Sequence, residues 1–364
     1  MHAGTLRTVR LVSGLVLMAF VTGHMANLML GMHSLAAMEN WRPWLMGPWR
    51  SGIGLTLLLG AALIHMALGL YAIAARGSLA MSRTDVVQMI LGLLTPPLLL
   101  NHAVVMHMAG KVTPNFDSTF GQMLAVYWSF SPGYAFQQLG VVMVVWIHAA
   151  VGLYSWLVLK PAWKRIGGFV LALLFAVPIL ALLGFAEAGR EVLENLANDP
   201  AWRAHITENL RRVVAVTNPL ERLQNLFLIV YAALVLAAFA VFGSRVLRNR
   251  FARVTIGYDG GLSAHGRRGL SILELSRLGD VPHAHVCSAR GRCGTCRVRI
   301  ESGAEHLTPV SEFERGTLAR VGAGAGERLA CQARVKASGV VATRVLPPYA
   351  DASAARLPQE WVTT

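Results

Sequence analysis

The apolar residues of the chain are concentrated in six long runs before residue 248. Each run is long enough for a helix of about twenty residues, which spans the hydrocarbon core of a bilayer. The runs cover residues 11–30, 53–75, 86–108, 134–158, 166–186 and 226–246. The first is too long for a signal peptide and has no evident cleavage site, so it counts as a transmembrane helix. The pattern predicts an all-α, six-helix membrane domain over residues 1–250.

A different pattern begins after residue 250, where short stretches alternate apolar and polar positions. It predicts a strand and turn at 253–261, a short helix at 271–278, a strand at 296–303 and a closing strand at 340–345. These elements predict an α+β domain over residues 251–346. The segment 347–364 contains prolines and an alanine-rich tail, and we interpret it as a linker.

The composition supports a membrane location. A mean hydropathy of +0.49 with 14% charged residues is too apolar for a soluble protein of 364 residues. Eleven Lys and Arg residues flank one end of the six runs, whereas two short loops at the other end hold only Arg42, Arg50 and Lys111. The positive-inside rule then places both termini and the α+β domain in the cytoplasm. The net charge of +14 therefore indicates topology and not nucleic-acid binding. The third outer segment, 187–222, is predicted to form an amphipathic helix.

Four cysteines lie in the predicted α+β domain, and the sequence contains no others. Three share a glycine-rich loop with the spacing C-x5-C-x2-C, and the fourth follows after thirty-four residues: Cys287, Cys293, Cys296 and Cys331. A [2Fe–2S] cluster needs four thiolates. Gly291 and Gly294 would let the backbone fold closely around its sulfurs. Zinc usually takes two close pairs of ligands, of which only 293/296 is present, and disulfides do not explain the glycines, so the pattern favours the cluster.

Each of the first four apolar runs contains a histidine well inside it, and the last two contain none. These residues are His24, His65, His102 and His148. An ionisable side chain at such depth is costly and usually marks function, and a neutral imidazole is a good axial ligand of haem iron. The alternative for any single case is a hydrogen bond to a neighbouring helix. Four such residues on consecutive helices, beside an electron carrier, favour haem b.

Depth along the helices predicts which histidines lie opposite each other. His65 and His148 are eleven and twelve residues from the basic residues at the inner ends of their helices, which is roughly 17 Å. His24 and His102 are fourteen and seventeen residues from that side, or about 21 to 26 Å. The prediction is therefore two haems, one on His65 and His148 and one on His24 and His102. A single haem with two spare histidines is the alternative.

The α+β region resembles the ferredoxin β-grasp fold, and the five-residue gap between its first two cysteines is similar to the adrenodoxin type. The membrane region resembles a second family, the succinate dehydrogenase/fumarate reductase cytochrome b-like anchor of certain bacterial class III adenylyl cyclases. Five stretches carry this resemblance: TGHMAN (22–27), WRS (49–51), HMALGLY (65–71), WIHAAVGLY (146–154) and LLGFAEAGR (182–190).

The second resemblance implies a six-helix anchor, then a ferredoxin domain, then a cyclase catalytic domain that works as a homodimer. No metal-binding aspartate pair or catalytic strand of a cyclase follows Val345 in this sequence. Either the chain is truncated or this member works without a cyclase, and the linker-like tail favours truncation.

Three functions fit these features. The first is a redox-sensing module that passes electrons from the quinone pool through haem b to the cluster and regulates an adenylyl cyclase. The second is a quinol oxidoreductase that reduces a soluble acceptor, and the third is an anchor whose cofactors only stabilise the fold. The basic residues beside the cluster suit a lipid surface or the chain's own membrane domain better than a basic reductase, which favours transfer within the chain.

A quinone site is predicted at the outer interface, where aromatic and basic side chains could stack on and hydrogen-bond to a quinone ring. The candidates are Trp41, Arg42, Trp49 and Arg50. The alternative is an ordinary interfacial belt of aromatic and basic residues.

Overall fold

The computed structural model describes residues 3–76, 81, 83–113, 118–158, 160, 162–214, 217–248, 251–287 and 289–349. Nine α-helices make up the N-terminal domain in these residues. They are α1 (Ala3–Met29), α2 (Leu35–Arg50), α3 (Gly52–Ala74), α4 (Arg83–Val112), α5 (Phe120–Ala125), α6 (Gly133–Leu157), α7 (Trp163–Asn198), α8 (Pro200–Val214) and α9 (Thr217–Arg248).

Six of these helices are long and apolar enough to cross a membrane. Their apolar segments are Thr5–Met32, Gly52–Ala74, Arg83–Val104, Gly133–Leu157, Trp163–Asn198 and Asn218–Arg248. Large apolar side chains face outward along them, including Ile53 at 86% exposure and Leu236 at 70%. Outward apolar surface on this scale is stable against lipid and not against water. The predicted number of long helices agrees with the structure.

Additional helical segments lie between the long helices, and the sequence analysis did not predict two of them. The first is α2, which begins after Ser34, whose hydroxyl accepts a hydrogen bond from the backbone N–H of Ala37. The second is α5, which continues into one turn of π-helix at Val126–Phe130. The single helix predicted at 187–222 is divided between α7, α8 and the start of α9. Asp199 separates α7 from α8 because its carboxylate accepts from the first backbone N–H groups of α8.

Two glycines allow α1 and α7 to cross at close range. A Cβ atom on Gly31, just beyond the end of α1, would lie 2.3 Å from the carbonyl oxygen of Gly184. A Cβ atom on Gly184 would lie 2.0 Å from the carbonyl oxygen of Leu28. Small residues permit such backbone contacts between membrane helices, where packing and not water exclusion stabilises the association. This crossing holds the helix that carries His24.

The C-terminal domain is a five-stranded mixed sheet with two helices. Its elements are β1 (Arg253–Tyr258), β2 (Ser263–Arg267), α10 (Ile272–Leu278), β3 (Arg297–Ser302), α11 (Glu312–Arg320), β4 (Glu327–Leu329) and β5 (Val340–Arg344). The strand order is β2-β1-β5-β3-β4, with β1 and β5 parallel and the other pairs antiparallel. This is the order expected of a β-grasp domain. The predicted elements are present, while β2, β4 and α11 were not predicted.

The helix α10 lies against the sheet and fixes one side of the core. Ser271 and Glu274 form a capping box at its start, because each side chain accepts from the other residue's backbone N–H. Ile272, Leu273 and Leu275 are fully buried against the strands. The cysteine loop leaves this core between α10 and β3.

Candidate functional site

The cysteine loop at 287–296 is a tight turn in which glycine is required twice. Gly291 and Gly294 have φ angles of 67° and 71°, in the left-handed region that disfavours other residues. A Cβ atom on Gly294 would lie 2.7 Å from a Val321 methyl carbon, and one on Gly291 would lie 2.8 Å from the Phe313 ring. The loop therefore needs both glycines for conformation and for space.

The four cysteines are buried and come together as two pairs. The Sγ atoms of Cys296 and Cys331 are 3.4 Å apart, and Cys287 and Cys293 pack together as the second pair. Among the described residues, no three His, Cys, Asp or Glu side chains converge on the position of a single metal ion. Two pairs of thiols suit a binuclear cluster, in which each iron takes two of the four ligands.

Hydrogen-bond donors surround these sulfurs. The backbone N–H of Arg292 donates to the sulfur of Cys287 (3.5 Å), and the side-chain amide of Gln332 donates to that of Cys331 (3.3 Å). The thiol of Cys293 also contacts the hydroxyl of Thr295 (3.0 Å). The neighbouring Cys293 thiol and backbone N–H donors of the loop lower the pKa of Cys287 to about 5, whereas the pairing with a second thiol and burial raise the pKa values of Cys293 and Cys296. Hydrogen-bond donors directed at the sulfurs fit an iron–sulfur cluster, whose sulfurs carry negative charge.

A buried ion pair positions the strand that leads to the fourth cysteine. Glu314 on α11 is 1% exposed, and its carboxylate accepts two hydrogen bonds from the guanidinium of Arg328, at 2.8 and 3.0 Å. The same carboxylate accepts from the backbone N–H of Leu329 (2.9 Å). Glu314 therefore fixes the position of strand β4, which ends two residues before Cys331.

The cysteine loop packs against one end of the helical domain. Val158, just past the end of α6, contacts Cys287 and Cys293. Arg290 in the loop forms an ion pair with Asp85 at the start of α4 (3.7 Å). These contacts come from the helix ends on the side where the sequence has most of its basic residues.

Helix α1 contributes a further contact, through Arg7. Its guanidinium lies over the ring of Phe313, 4.1 Å from the ring centroid. It also donates to the backbone carbonyl of Arg290 (2.8 Å) and to the side-chain oxygen of Gln332 (3.2 Å). In the sequence, Arg7 is one of the eleven basic residues that indicate topology, and no local pattern connects it to residues near 290 and 332.

The four membrane histidines form the two pairs that were predicted from depth. The ring centroids of His24 and His102 are 6.0 Å apart, and those of His65 and His148 are 6.2 Å apart. Each pair joins two different helices, α1 with α4 and α3 with α6. Phe20 stacks parallel to the His24 ring at a centroid distance of 6.0 Å. The histidines therefore converge inside the helical domain.

Hydrogen bonds leave one ring nitrogen of the inner histidines available. Nδ1 of His65 lies 3.0 Å from the carbonyl oxygen of Arg10, and Nδ1 of His148 lies 3.1 Å from that of Gln88. A carbonyl oxygen only accepts, so Nδ1 carries the proton in both rings and Nε2 keeps its lone pair. Metal-bound histidines typically have such a second hydrogen bond.

The outer pair has a different partner. Nδ1 of His102 lies 3.1 Å from the hydroxyl of Tyr127, which belongs to the π-helical turn after α5. Tyr127 was not predicted as a site residue, because its segment carries no regular periodicity.

Two glycines provide space beside the inner histidines. A Cβ atom on Gly14 would lie 2.9 Å from Cε1 of His65, and one on Gly92 would lie 2.9 Å from Cε1 of His148. Gly14 precedes His24 by ten residues on α1, and Gly92 precedes His102 by ten residues on α4. Ten residues rise about 15 Å, so each of these helices provides a histidine at the outer level and a glycine at the inner level. The repeated ten-residue spacing from glycine to histidine is visible in the sequence and marks these two levels.

The predicted outer aromatic and basic residues all lie on α2, but in different environments. Arg42 is held by Glu39 (3.2 Å) and by the carbonyl of Ser118, so its donors serve the structure. Trp41 and Arg50 are exposed. Trp49 packs edge-on against Phe20, next to the His24 ring. Phe20 thus links Trp49 to the outer histidine pair.

Comparison with known proteins assigns the cysteine domain. A family described as "2Fe-2S iron-sulfur cluster binding domain" matches residues 259–336, which include all four cysteines. The "2Fe-2S ferredoxin-5" of Aquifex aeolicus is 41% identical over 72 residues, which are 20% of this chain and 75% of that protein. The "Chlorosome protein I" of Chlorobaculum tepidum is 33% identical over 73 residues, which are 20% of this chain and 30% of that protein. The chain therefore spans less than a third of the chlorosome protein.

Proposed function

The chain belongs to the [2Fe–2S] ferredoxin family through its C-terminal domain, and from this premise we propose that it is a membrane-bound electron-transfer module. The cluster and haem b, when bound, supply one-electron chemistry. One observation carries the proposal: the cysteine loop packs on the end of a helical domain whose interior contains two facing histidine pairs. The protein would position its redox groups within one chain.

The proposed haem ligands are His24 with His102 and His65 with His148. The ring centroids within the pairs are 6.0 and 6.2 Å apart, and the two imidazoles of each pair would hold the iron of one haem. The carbonyl partners of the inner pair and the space left by the two glycines add support.

The proposed sites lie in one order along the helices. The cysteine loop contacts the ends of α1, α4 and α6, and His65 and His148 are the pair nearer to those ends. The His24–His102 pair lies deeper, toward the outer segments α2 and α5. The protein would exclude water between these levels by packing apolar side chains such as Met18 and Val21, which lie between Gly14 and His24 on α1.

We place the ferredoxin domain on the cytoplasmic face of a bacterial inner membrane. The helix ends that it contacts are those with the majority of the Lys and Arg residues, which remain on the cytoplasmic side. A reducing compartment also preserves thiolates as cluster ligands. The helices would contact membrane lipid, and a quinone or quinol would exchange electrons at the outer end, near Trp49.

The runner-up is a quinol oxidoreductase that passes electrons to a soluble acceptor. The contacts of the cysteine loop weigh against it, because Val158 and Arg7 occupy one side of the loop. Regulation of an adenylyl cyclase, with a homodimeric assembly, rests on the family resemblance alone. It would be tested by attaching such a cyclase to the chain and titrating the quinone pool.

The test uses the full chain purified in detergent. We expect two six-coordinate low-spin b-type haems per chain and one [2Fe–2S] signal on reduction. His148→Ala should remove one haem, and His33→Ala, an exposed histidine outside both pairs, should remove none. A quinol should reduce the cluster in the wild type and not in His148→Ala, while dithionite should reduce it in both.

Two outcomes would contradict the proposal at different points. Unchanged haem content in single replacements of all four histidines would show that the ligand assignment is wrong. Normal reduction of the cluster by quinol in His148→Ala would show that the inner pair is not on the route.

A further inference from the structure

The side chain of Gln332 lies between the membrane domain and a cluster ligand. Its amide nitrogen donates to the sulfur of Cys331 (3.3 Å) and to two backbone carbonyls, those of Cys331 (3.1 Å) and Ala289 (3.4 Å). Its amide oxygen accepts from the guanidinium of Arg7 (3.2 Å). One amide group therefore joins α1 of the helical domain to a thiolate of the ferredoxin domain.

The partners determine which end of the amide faces the sulfur. Arg7 has donors only, so it requires the oxygen of Gln332. The thiolate of Cys331 is an acceptor, so it requires the NH₂ group. If the amide were reversed, its NH₂ group would face the donors of Arg7, and its oxygen would face the sulfur, which is also an acceptor. Arg7 therefore holds the amide in the orientation that donates to the sulfur.

The surroundings of Gln332 leave the amide little freedom. A Cβ atom on Gly291 would lie 2.9 Å from its Cδ atom, so the glycine backbone covers one side. Arg7 is itself fixed by Phe313, over which it stacks, and by the carbonyl of Arg290. Only correct packing of α1 on the cysteine loop provides this arrangement.

We propose that Arg7 acts through Gln332 to raise the reduction potential of the cluster when the two domains are in contact. A hydrogen bond to a thiolate ligand stabilises the reduced cluster more than the oxidised one, because the reduced cluster carries more negative charge on its sulfurs. The inference rests on the cluster of the proposed function and not on the haems. Arg7 and Gln332 are positioning residues, and neither binds iron.

The coupling also works in the opposite direction. If contact with α1 favours the reduced cluster by a given factor, reduction by one electron favours the contact by the same factor. Reduction should therefore tighten the packing of the cysteine loop on the helix ends, and oxidation should loosen it. The redox state of the cluster would therefore change how tightly the two domains pack against each other.

The test is a redox titration of the full chain with the cluster signal followed by paramagnetic resonance. Gln332→Leu removes the hydrogen-bond donor without changing the charge. It should lower the equilibrium constant for reduction of the cluster about tenfold, which is a fall of about 59 mV in the reduction potential for one electron. Arg7→Gln should lower it through loss of both the charge and the oriented amide. Arg292→Gln removes a charge from the same loop but leaves Gln332 and the Arg290–Asp85 ion pair in place, so it measures the charge effect alone and should shift the potential less.

A double-mutant cycle separates the relay from simple electrostatics. In the Gln332→Leu background, Arg7→Gln should add only the shift that Arg292→Gln produces, because the relay is already absent. Additive shifts of Arg7→Gln and Gln332→Leu would overturn the relay. So would a Gln332→Leu potential equal to that of the wild type.

Hydrogen exchange provides the second measurement. Backbone amides at 289–293 should be better protected in the dithionite-reduced wild type than in the oxidised protein, and this difference should vanish in Gln332→Leu. Equal protection in both redox states of the wild type would overturn the coupling. Loss of the cluster signal from the wild type itself would instead contradict the proposed function.

Discussion

The buried carboxylate of Glu314 gives the sharpest test of how the ferredoxin domain is held together. Replacing it by glutamine keeps the shape of the side chain but removes its charge. Arg328 is 8% exposed and would then lie buried without its counter-charge. Removing one partner of a buried pair costs about 3–5 kcal/mol, and an isosteric amide that retains some hydrogen bonding should fall near the lower end, about 3 kcal/mol.

This cost converts into a large change in thermal stability. In a domain of this size, 1 kcal/mol lowers the midpoint of unfolding by roughly 4–8 °C, so Glu314→Gln should lower it by roughly 12–24 °C. The assay is loss of the cluster's visible absorbance on heating the full chain, together with hydrogen exchange at the amide of Leu329. That amide loses its charged acceptor and should exchange faster.

Two further variants decide the cause. Glu305→Gln is the same substitution in the same domain at an exposed position, and it should change stability by less than about 0.5 kcal/mol. The double variant Glu314→Leu/Arg328→Met replaces the pair by apolar groups and should recover much of the loss, as buried pairs often tolerate such replacement. A Glu314→Gln midpoint within about 3 °C of the wild type would refute the reasoning, since it would correspond to less than about 1 kcal/mol.

Three other predictions address the sites and their surroundings. Cys331→Ser should abolish or strongly weaken the paramagnetic signal of the reduced cluster, and stoichiometric zinc in place of iron would contradict the cluster. Gly92→Val should displace the His148 ring, because a Cβ atom at position 92 would already lie 2.9 Å from that ring. The optical spectrum should then show one haem in place of two, and retention of both haems would contradict the inner site. The Arg344 guanidinium holds the pKa of Asp259 below its usual range, so the stabilisation from their pair is present above about pH 4 and is lost as the pH falls through that lowered pKa. Asp259→Asn should therefore destabilise the domain at pH 7 by about 0.5–1 kcal/mol in urea unfolding, with the difference disappearing in acid; a difference that persists at pH 2 would contradict this.

Much of the organisation was predictable because it is local along the chain. A membrane helix needs a continuous apolar run, so hydropathy alone identified six of them. The four cysteines were recognisable from spacing, since three ligands lie in one short loop. Even the pairing of His24 with His102, and of His65 with His148, followed from the constant rise of an α-helix.

The tertiary structure decided everything that depends on contacts between distant residues. Arg7 reaches Arg290 and Gln332, 283 and 325 positions away, and no periodicity links such positions. The hydrogen-bond partners of the histidine rings also depend on tertiary contacts. Every residue has a backbone carbonyl, so only the packing of α4 on α6 selects the carbonyl of Gln88 as the partner of His148.

The sequence by itself thus determined which residue types are available for binding and how deep they lie, because these depend on composition and on a fixed helical rise. Only the folded chain decided which face of the cysteine loop meets the helices, and which side chain donates to each sulfur. Hydrogen bonds and close packing require particular atoms within about 3–4 Å of each other, and only the complete fold brings those atoms together.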